Sequence, residues 1–409
     1  MTFLIPSHAA RSGDDPIFAL NREARTRALA GEPVINATVG ALLDDDGKLS
    51  ILSGVAEAVR AVPAEVSAGY APIAGPEDFL RAVVTDLFEG RPAAASTVAI
   101  ATPGGTGALR LSINSFLEPG QALLTSSFYW GPYKTLADEA ERKLATFRMF
   151  DEHGRLDAAD FARELGRLID VQGRALVILN SPCHNPTGYS FDSAEWQAIV
   201  DIVARESARG PVALVLDVAY SRYGAADLGA CIDLVLPLAG KAQLLFTWSA
   251  SKAFTEYGLR VGALVALHPD AAERARLFNA FSFACRGTWS NCNAGGMAAI
   301  TRVLTDPELH ARVDRERGVL KALLDRRVAR WNELAAPAGL RYPRYDGGFF
   351  TTVFHEDAAG AALRLKAEGV FVVPLAGALR VALCSVAERD VPRLVDAIAR
   401  ATSAPGSVG

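Results

Sequence analysis

Cysteine is scarce and scattered in this chain: Cys183, Cys231, Cys285, Cys292 and Cys384 are the only five in 409 residues, and no two form a C-x-x-C pair. An odd, dispersed set builds neither a disulfide framework nor a structural zinc site, so no metal is expected and a reducing compartment fits. Long apolar runs are missing as well. The N-terminal stretch MTFLIPSHAARSGDDP has only a brief apolar run before Pro6, too short for a signal-peptide core. No later segment approaches the ~18 uninterrupted apolar residues of a membrane span, so a cytoplasmic protein without a membrane partner is expected. Basic charge is not in excess either. With a net charge of −4, and without an arginine-rich arm, zinc-finger spacing or aromatic-basic repeat, the chain lacks a nucleic-acid footprint. There is no internal repeat and no low-complexity segment.

What is present is apolar and alternating. Half of the residues are hydrophobic (50%), enough for a large core in two or three domains. Short β-rich runs, TVAIA (97–101), ALLTS (122–126), ALVILN (175–180), VALVLD (212–217), LLFTW (244–248) and GALVAL (262–267), alternate with amphipathic stretches at 104–116, 157–169 and 193–208. That alternation predicts βαβ units and a mostly parallel sheet. The stretch FDSAEWQAIVDIVARES reads as a helix with Asp192 or Ser193 as its N-cap.

After about residue 305 the pattern changes to a long charged helix, then short strands and helices to about Ala401. Residues 48–305 are expected to form a large domain. Residues 306–409, joined by an N-terminal arm at 1–47, are expected to form a smaller α+β domain, with the tail SAPGSVG frayed.

Open α/β sheets bind ligands in the crevice at the carboxyl ends of their strands, and the polar residues cluster there. Lys252 lies in TWSASKAFTEYGLRVG just past a strand end. A lysine at an arbitrary position snorkels to the surface, whereas a partly desolvated amine near another cation has a lowered pKa and attacks carbonyls. Arg260 is the nearby cation, and with Ser249 and Ser251 it makes half of a phosphate site. TPGGTGALR (102–110) opens a helix and offers the amides of Gly104, Gly105 and Thr106 to an anion, although glycines after a strand also simply make a turn. Asp217 suits helix capping or, equally, holding a proton on a heteroaromatic nitrogen. Asn185 and Tyr220 suit a phenolate oxygen on the same ring. Trp130 suits its face or the core.

Taken in order, AGYAPIAGPEDF, TPGGTGALR, SPCHNPTG, DVAYSRY, SASKAFTEYGLRVG, CRGTWSN, GGFF and LRVAL give the chain its likeness. It resembles the fold-type I, class I aminotransferases that use pyridoxal 5'-phosphate, in particular the aspartate and aromatic amino-acid subgroup, over nearly its whole length. The resemblance implies an α/β fold: a large domain around a mostly parallel seven-stranded sheet, plus a smaller α+β domain. It also implies that Lys252 is the Schiff-base lysine and the base of the proton shift, that Asp217 partners the ring nitrogen, and that Asn185 and Tyr220 serve the ring hydroxyl. Trp130 would stack on the ring, while Gly105, Thr106, Ser249, Ser251 and Arg260 would hold the phosphate, joined by Tyr70 of the partner subunit in a homodimer with shared active sites. Arg380 would grip the substrate α-carboxylate, Gly40 would lie beside the substrate, and Arg286 of the partner subunit would read its distal end.

There are two departures from the family pattern. Tyr133 stands where many relatives have a histidine behind the aspartate, and CNAGG follows TWSN where a pair of prolines is common. The expected activity is transfer of an amino group between an L-amino acid (aspartate, glutamate or aromatic) and a 2-oxo acid such as 2-oxoglutarate, by a ping-pong route. A β-lyase or decarboxylase on the same cofactor is the rival enzyme. A non-enzymatic sensor that borrows the fold is the rival from another class, and it would need a basic DNA-binding module that the chain does not display.

Overall fold

The computed structural model describes residues 2–9, 11, 13 and 16–403, and the expected fraying of the tail falls mostly outside them. By contacts the chain divides into two units. One comprises Ser50–Asp325 with Pro343–Phe349, and the other Met1–Leu49, Arg326–Tyr342 and Phe350–Gly409. The boundaries expected from sequence were 47/48 and 305/306. By contacts they fall at 49/50 and, inside the helix Pro307–Ala335, at 325/326.

The larger unit is built on seven strands: β1 (Thr97–Pro103), β2 (Ala122–Ser126), β3 (Lys143–Phe147), β4 (Ala175–Asn180), β5 (Val212–Asp217), β6 (Gln243–Ser249) and β7 (Val261–Leu267). Their order is β1-β7-β6-β5-β4-β2-β3. β7 runs antiparallel to both neighbours, and every other pairing is parallel. Every residue of β5 is buried, as expected of a strand covered on both faces. Period-2 alternation divides the side chains between two cores: Leu214, Leu216, Leu244 and Phe246 enter one, and Ala213, Val215, Leu245 and Leu264 the other.

Helices cover the sheet for local reasons. Ser193–Ser207 starts at Asp192, whose side chain accepts from the Glu195 amide at 3.0 Å while the Glu195 carboxylate accepts from the Asp192 amide at 2.8 Å, a reciprocal capping box. Ala158–Gln172 is capped by Asp157 and ends on Gly173 at φ 73°, a left-handed position that glycine takes without a Cβ penalty. The smaller unit pairs Ile35–Asn36 with Val370–Phe371 and builds a three-stranded antiparallel sheet from Val373–Leu375, Ala378–Val381 and Thr351–Phe354. Its helix Val391–Ser403 buries Val391, Leu394, Val395, Ile398 and Ala401, one apolar stripe at helical spacing.

Candidate active site

Three adjacent parallel strands end at one level, because register pairs Asn180 with Asp217 and Asp217 with Thr247. Asn180 Nδ2 donates to the Asp217 carbonyl at 2.7 Å, and its Oδ1 accepts from the Asn185 amide at 2.7 Å. The loop leaving β4 is thereby tied back over the end of β5.

Asp217 is 6% exposed, so its carboxylate depends on protein donors. Tyr133 Oη donates to Oδ2 at 2.6 Å, and Oδ1 accepts from Thr247 Oγ1 at 3.1 Å and from the Ala219 amide at 3.3 Å. Burial pushes the carboxyl pKa up, while these donors and the Lys252 charge oppose that rise. The Tyr133 phenol is fully buried, and burial beside a carboxylate drives its pKa well above the ordinary value, so it acts as a neutral donor.

Lys252 sits on the single helical turn Ala250–Ala253 that follows β6. Its Nζ lies 4.8 Å from the centroid of the Tyr257 ring and 5.8 Å from that of Tyr220. The Tyr220 hydroxyl accepts from Asn185 Nδ2 at 3.2 Å. The other end of that amide, Oδ1, is buried without a hydrogen-bond partner among the described residues, a polar end available to a group outside the chain.

An anion cradle forms beside the amine. Arg260 Nη1 donates to Ser251 Oγ at 3.3 Å and to the Tyr257 carbonyl at 3.1 Å, with Nη2 3.4 Å from the Pro103 carbonyl. Arg260 itself takes a left-handed φ of 56°, a conformation uncommon outside glycine and frequent at ligand clamps. The helix Gly104–Phe116 begins at this point without a side-chain cap, so its first amides face outward. Glycine is favoured here for two reasons: Gly104 takes a left-handed φ of 70°, and a Cβ on Gly262 would stand 2.5 Å from the Gly104 backbone. Gly105 faces Ser249, whose Oγ caps the Lys252 turn by accepting from the Ser251 amide at 3.2 Å.

Trp130 is half-buried and meets Tyr133 edge-on, with centroids 5.7 Å apart. Tyr70 is 95% exposed, and Arg286 is exposed in the last turn of Ala271–Thr288, where it donates to Ser290 Oγ. In the smaller unit, Arg380 is buried on Ala378–Val381 and donates to the Thr38 carbonyl. Its Cζ lies 4.8 Å from the centroid of the Phe350 ring, and a Cβ on Gly40 would stand 2.4 Å from Phe350 Cζ.

Lys252, Asp217, Asn185, Tyr220, Ser251 and Arg260 therefore gather around the ends of β4, β5 and β6 within one unit, whereas Tyr70 and Arg286 project to solvent. Sequence reasoning did not single out Thr247, Tyr257 or the buried His184. His184 pairs Nδ1 with Thr187 Oγ1 at 2.7 Å, and burial pushes its pKa down to about 3. The signal for Thr247 was its position next to a strand end. Its aim at Asp217 appears only once β5 and β6 are in register.

An amine and an anion cradle on the carboxyl edge of such a sheet are the equipment of the pyridoxal-phosphate enzymes, the class the motifs resemble. The comparisons bear this out. A family model described as aminotransferase class I and II matches residues 32–398. The chain is 29% identical to the aspartate aminotransferase of Pseudomonas aeruginosa, over 88% of this chain and 90% of that one. It is 32% identical to the aromatic-amino-acid aminotransferase of the same organism, over 73% and 74%. Among solved structures, an aminotransferase from Anaerococcus prevotii superimposes with a TM-score of 0.92 at 30% identity, covering 99% of this chain and 100% of that one. An aromatic-amino-acid aminotransferase from Burkholderia pseudomallei, covalently bound to pyridoxal phosphate, gives 0.83 at 26% identity, covering 98% and 100%. The chain belongs to the aminotransferase class I and II family, and it is a pyridoxal-phosphate-dependent transaminase.

Proposed function

We propose that this enzyme moves an amino group between an L-amino acid of the dicarboxylic or aromatic kind and a 2-oxo acid such as 2-oxoglutarate. The observation that carries the reading is Asp217: a buried carboxylate at a strand end, supplied with donors from Tyr133 and Thr247. Such a group suits a protonated ring nitrogen. The donor set around it fits the rest of the cofactor: the Asn185 and Tyr220 pair for a ring oxygen, Trp130 for the ring face, and Arg260, Ser249, Ser251 and the amides of Gly105 and Thr106 for a phosphate.

When bound, pyridoxal phosphate supplies a carbonyl for the amino group and a ring that withdraws electrons from the reacting carbon. The chain's own residues do the rest. Lys252 holds the cofactor and moves the proton, Asp217 keeps the ring nitrogen charged, and Arg380 grips the substrate α-carboxylate by a two-pronged pair. Gly40 leaves room beside the substrate. The exposure of Tyr70 and Arg286 supports a homodimer in which Tyr70 of the partner subunit reaches the phosphate and Arg286 of the partner subunit meets the substrate's far end. All five cysteines are buried and form no disulfide among the described residues, and no helix among those residues is long and apolar enough to cross a membrane; a cytoplasmic enzyme accords with both.

The relatives named for aspartate, aromatic amino acids and tyrosine support the two substrate classes. The test is a panel of amino donors with 2-oxoglutarate, reading glutamate and 2-oxo acid. Aspartate or an aromatic amino acid should lead the panel. Release of ammonia or CO2 in place of a matching 2-oxo acid would instead point to the β-lyase or decarboxylase reading.

A further inference from the structure

The turn that carries the amine is short. Ala250–Ala253 is one helical turn, and a single turn has too few hydrogen bonds of its own to persist, so its geometry depends on outside contacts. At its start stands Ser249. At its end stands Arg317, from the helix Pro307–Ala335, whose Nη1 donates to the Ala253 carbonyl at 3.1 Å. The same guanidinium lies 5.4 Å from the centroid of the Phe254 ring and is paired with Asp314. Phe254 packs on Trp248, with centroids 6.0 Å apart, and Trp248 Nε1 donates to Asp86 at 2.7 Å. Arg317 is only 9% exposed. Arginine is rarely buried to this degree unless it is engaged, and here it is engaged with the two residues that follow Lys252.

We infer that Arg317 is a positioning residue for Lys252: by gripping the carbonyl and the ring that follow the amine, it fixes the turn from which Nζ reaches over Tyr257 and Tyr220. The inference rests on reading Lys252 as the amine that holds the cofactor. Arg317 also places a permanent positive charge at the C-terminal end of that turn, which disfavours a proton on a neighbouring nitrogen. The groups facing Lys252 are the Tyr220 and Tyr257 phenols and the Asp217 charge. Those near Arg317 include Asp314, which His310 approaches at 3.7 Å, Tyr223, and, around the cavity that Arg317 lines, Asp86, Glu89 and Arg222.

The test uses holoenzyme carrying Arg317→Ala or Arg317→Lys. Arg317→Ala should lower kcat by about tenfold or more with KM little changed, and should raise the pH midpoint of the bound cofactor's visible absorbance by about half a unit or more. Guanidinium ion at concentrations far below those that unfold the protein should restore part of kcat, because Arg317 lines a cavity of about 310 Å³ with Asp314, His310 and Arg222. Arg317→Lys keeps the charge without the fork, so kcat should fall while the midpoint stays. A midpoint unmoved by Arg317→Ala overturns the inference, whatever happens to kcat. If that variant does not fold, wild-type kcat in Arg317→Lys overturns it instead. Borohydride labelling of the wild type separates the two failures: a label on Lys252 with an unmoved midpoint sinks only the role of Arg317, and no label there sinks the reading of the site.

Discussion

Tyr133 donates a 2.6 Å hydrogen bond to Asp217, and both side chains are buried. A hydrogen bond to a charged group contributes about 1.5–3 kcal/mol, or roughly tenfold to a hundredfold. Tyr133→Phe is therefore expected to raise the proton affinity of Asp217 and to lower turnover by about tenfold, with the cofactor still retained through the phosphate donors. Asp217→Ala should lower turnover by orders of magnitude. Steady-state kinetics with the visible spectrum of each variant check both. Near-normal turnover in Asp217→Ala would mean that another group serves the ring nitrogen.

His184 gives a pH dependence of known sign. Burial lowers its folded pKa to about 3, against about 6.5 in an unfolded chain, so its contribution to stability is present above pH ~6.5 and is lost as pH falls towards 3. The loss is at most about 1.4 kcal/mol per pH unit for this one group. His184→Asn should flatten the stability curve over that window in denaturant titrations of the protein. An unchanged slope would place the acid sensitivity elsewhere.

The proposed homodimer with shared sites can be tested by complementation. Tyr70→Phe/Arg286→Ala chains should be impaired with dicarboxylic substrates and Lys252→Ala chains inactive, and mixing them should raise the activity in hybrid dimers, where one site regains its own Lys252 with Tyr70 and Arg286 of the partner subunit. Size-exclusion chromatography of the mixture gives the assembly state. A fully active monomer is incompatible with the arrangement.

The proposed role of Arg286 in substrate choice predicts a selective loss. Its loss in Arg286→Ala should reduce kcat/KM for dicarboxylic substrates by about tenfold or more, the value of a charge-assisted pair, and leave phenylalanine or tyrosine nearly unchanged. An equal fall for both classes would make Arg286 structural. No fall for dicarboxylates would assign the distal contact to another residue and implicate the CNAGG departure.

Much of the fold and site is legible in the sequence. β4, β5 and β6 are covered on both faces, so they read as unbroken apolar runs, and the polar residues at their ends stood out against them. The edge strand β3, Lys143–Phe147, was not read, because only Phe147 in it is buried. The strands of the smaller unit, two to four residues long, are too short to show a period. Direction was hidden as well: nothing in GALVAL says that β7 runs against its neighbours. Contacts made across register or from distant helices, such as Thr247 to Asp217 or Arg317 to Ala253, have no local sequence pattern at all.

If Lys252 holds the cofactor, covalent trapping will find it there. Purified enzyme should be yellow, and borohydride reduction followed by digestion and mass spectrometry should place the cofactor's mass on the peptide containing Lys252. A label on Lys241 or Lys366, or no label at all, would contradict the account.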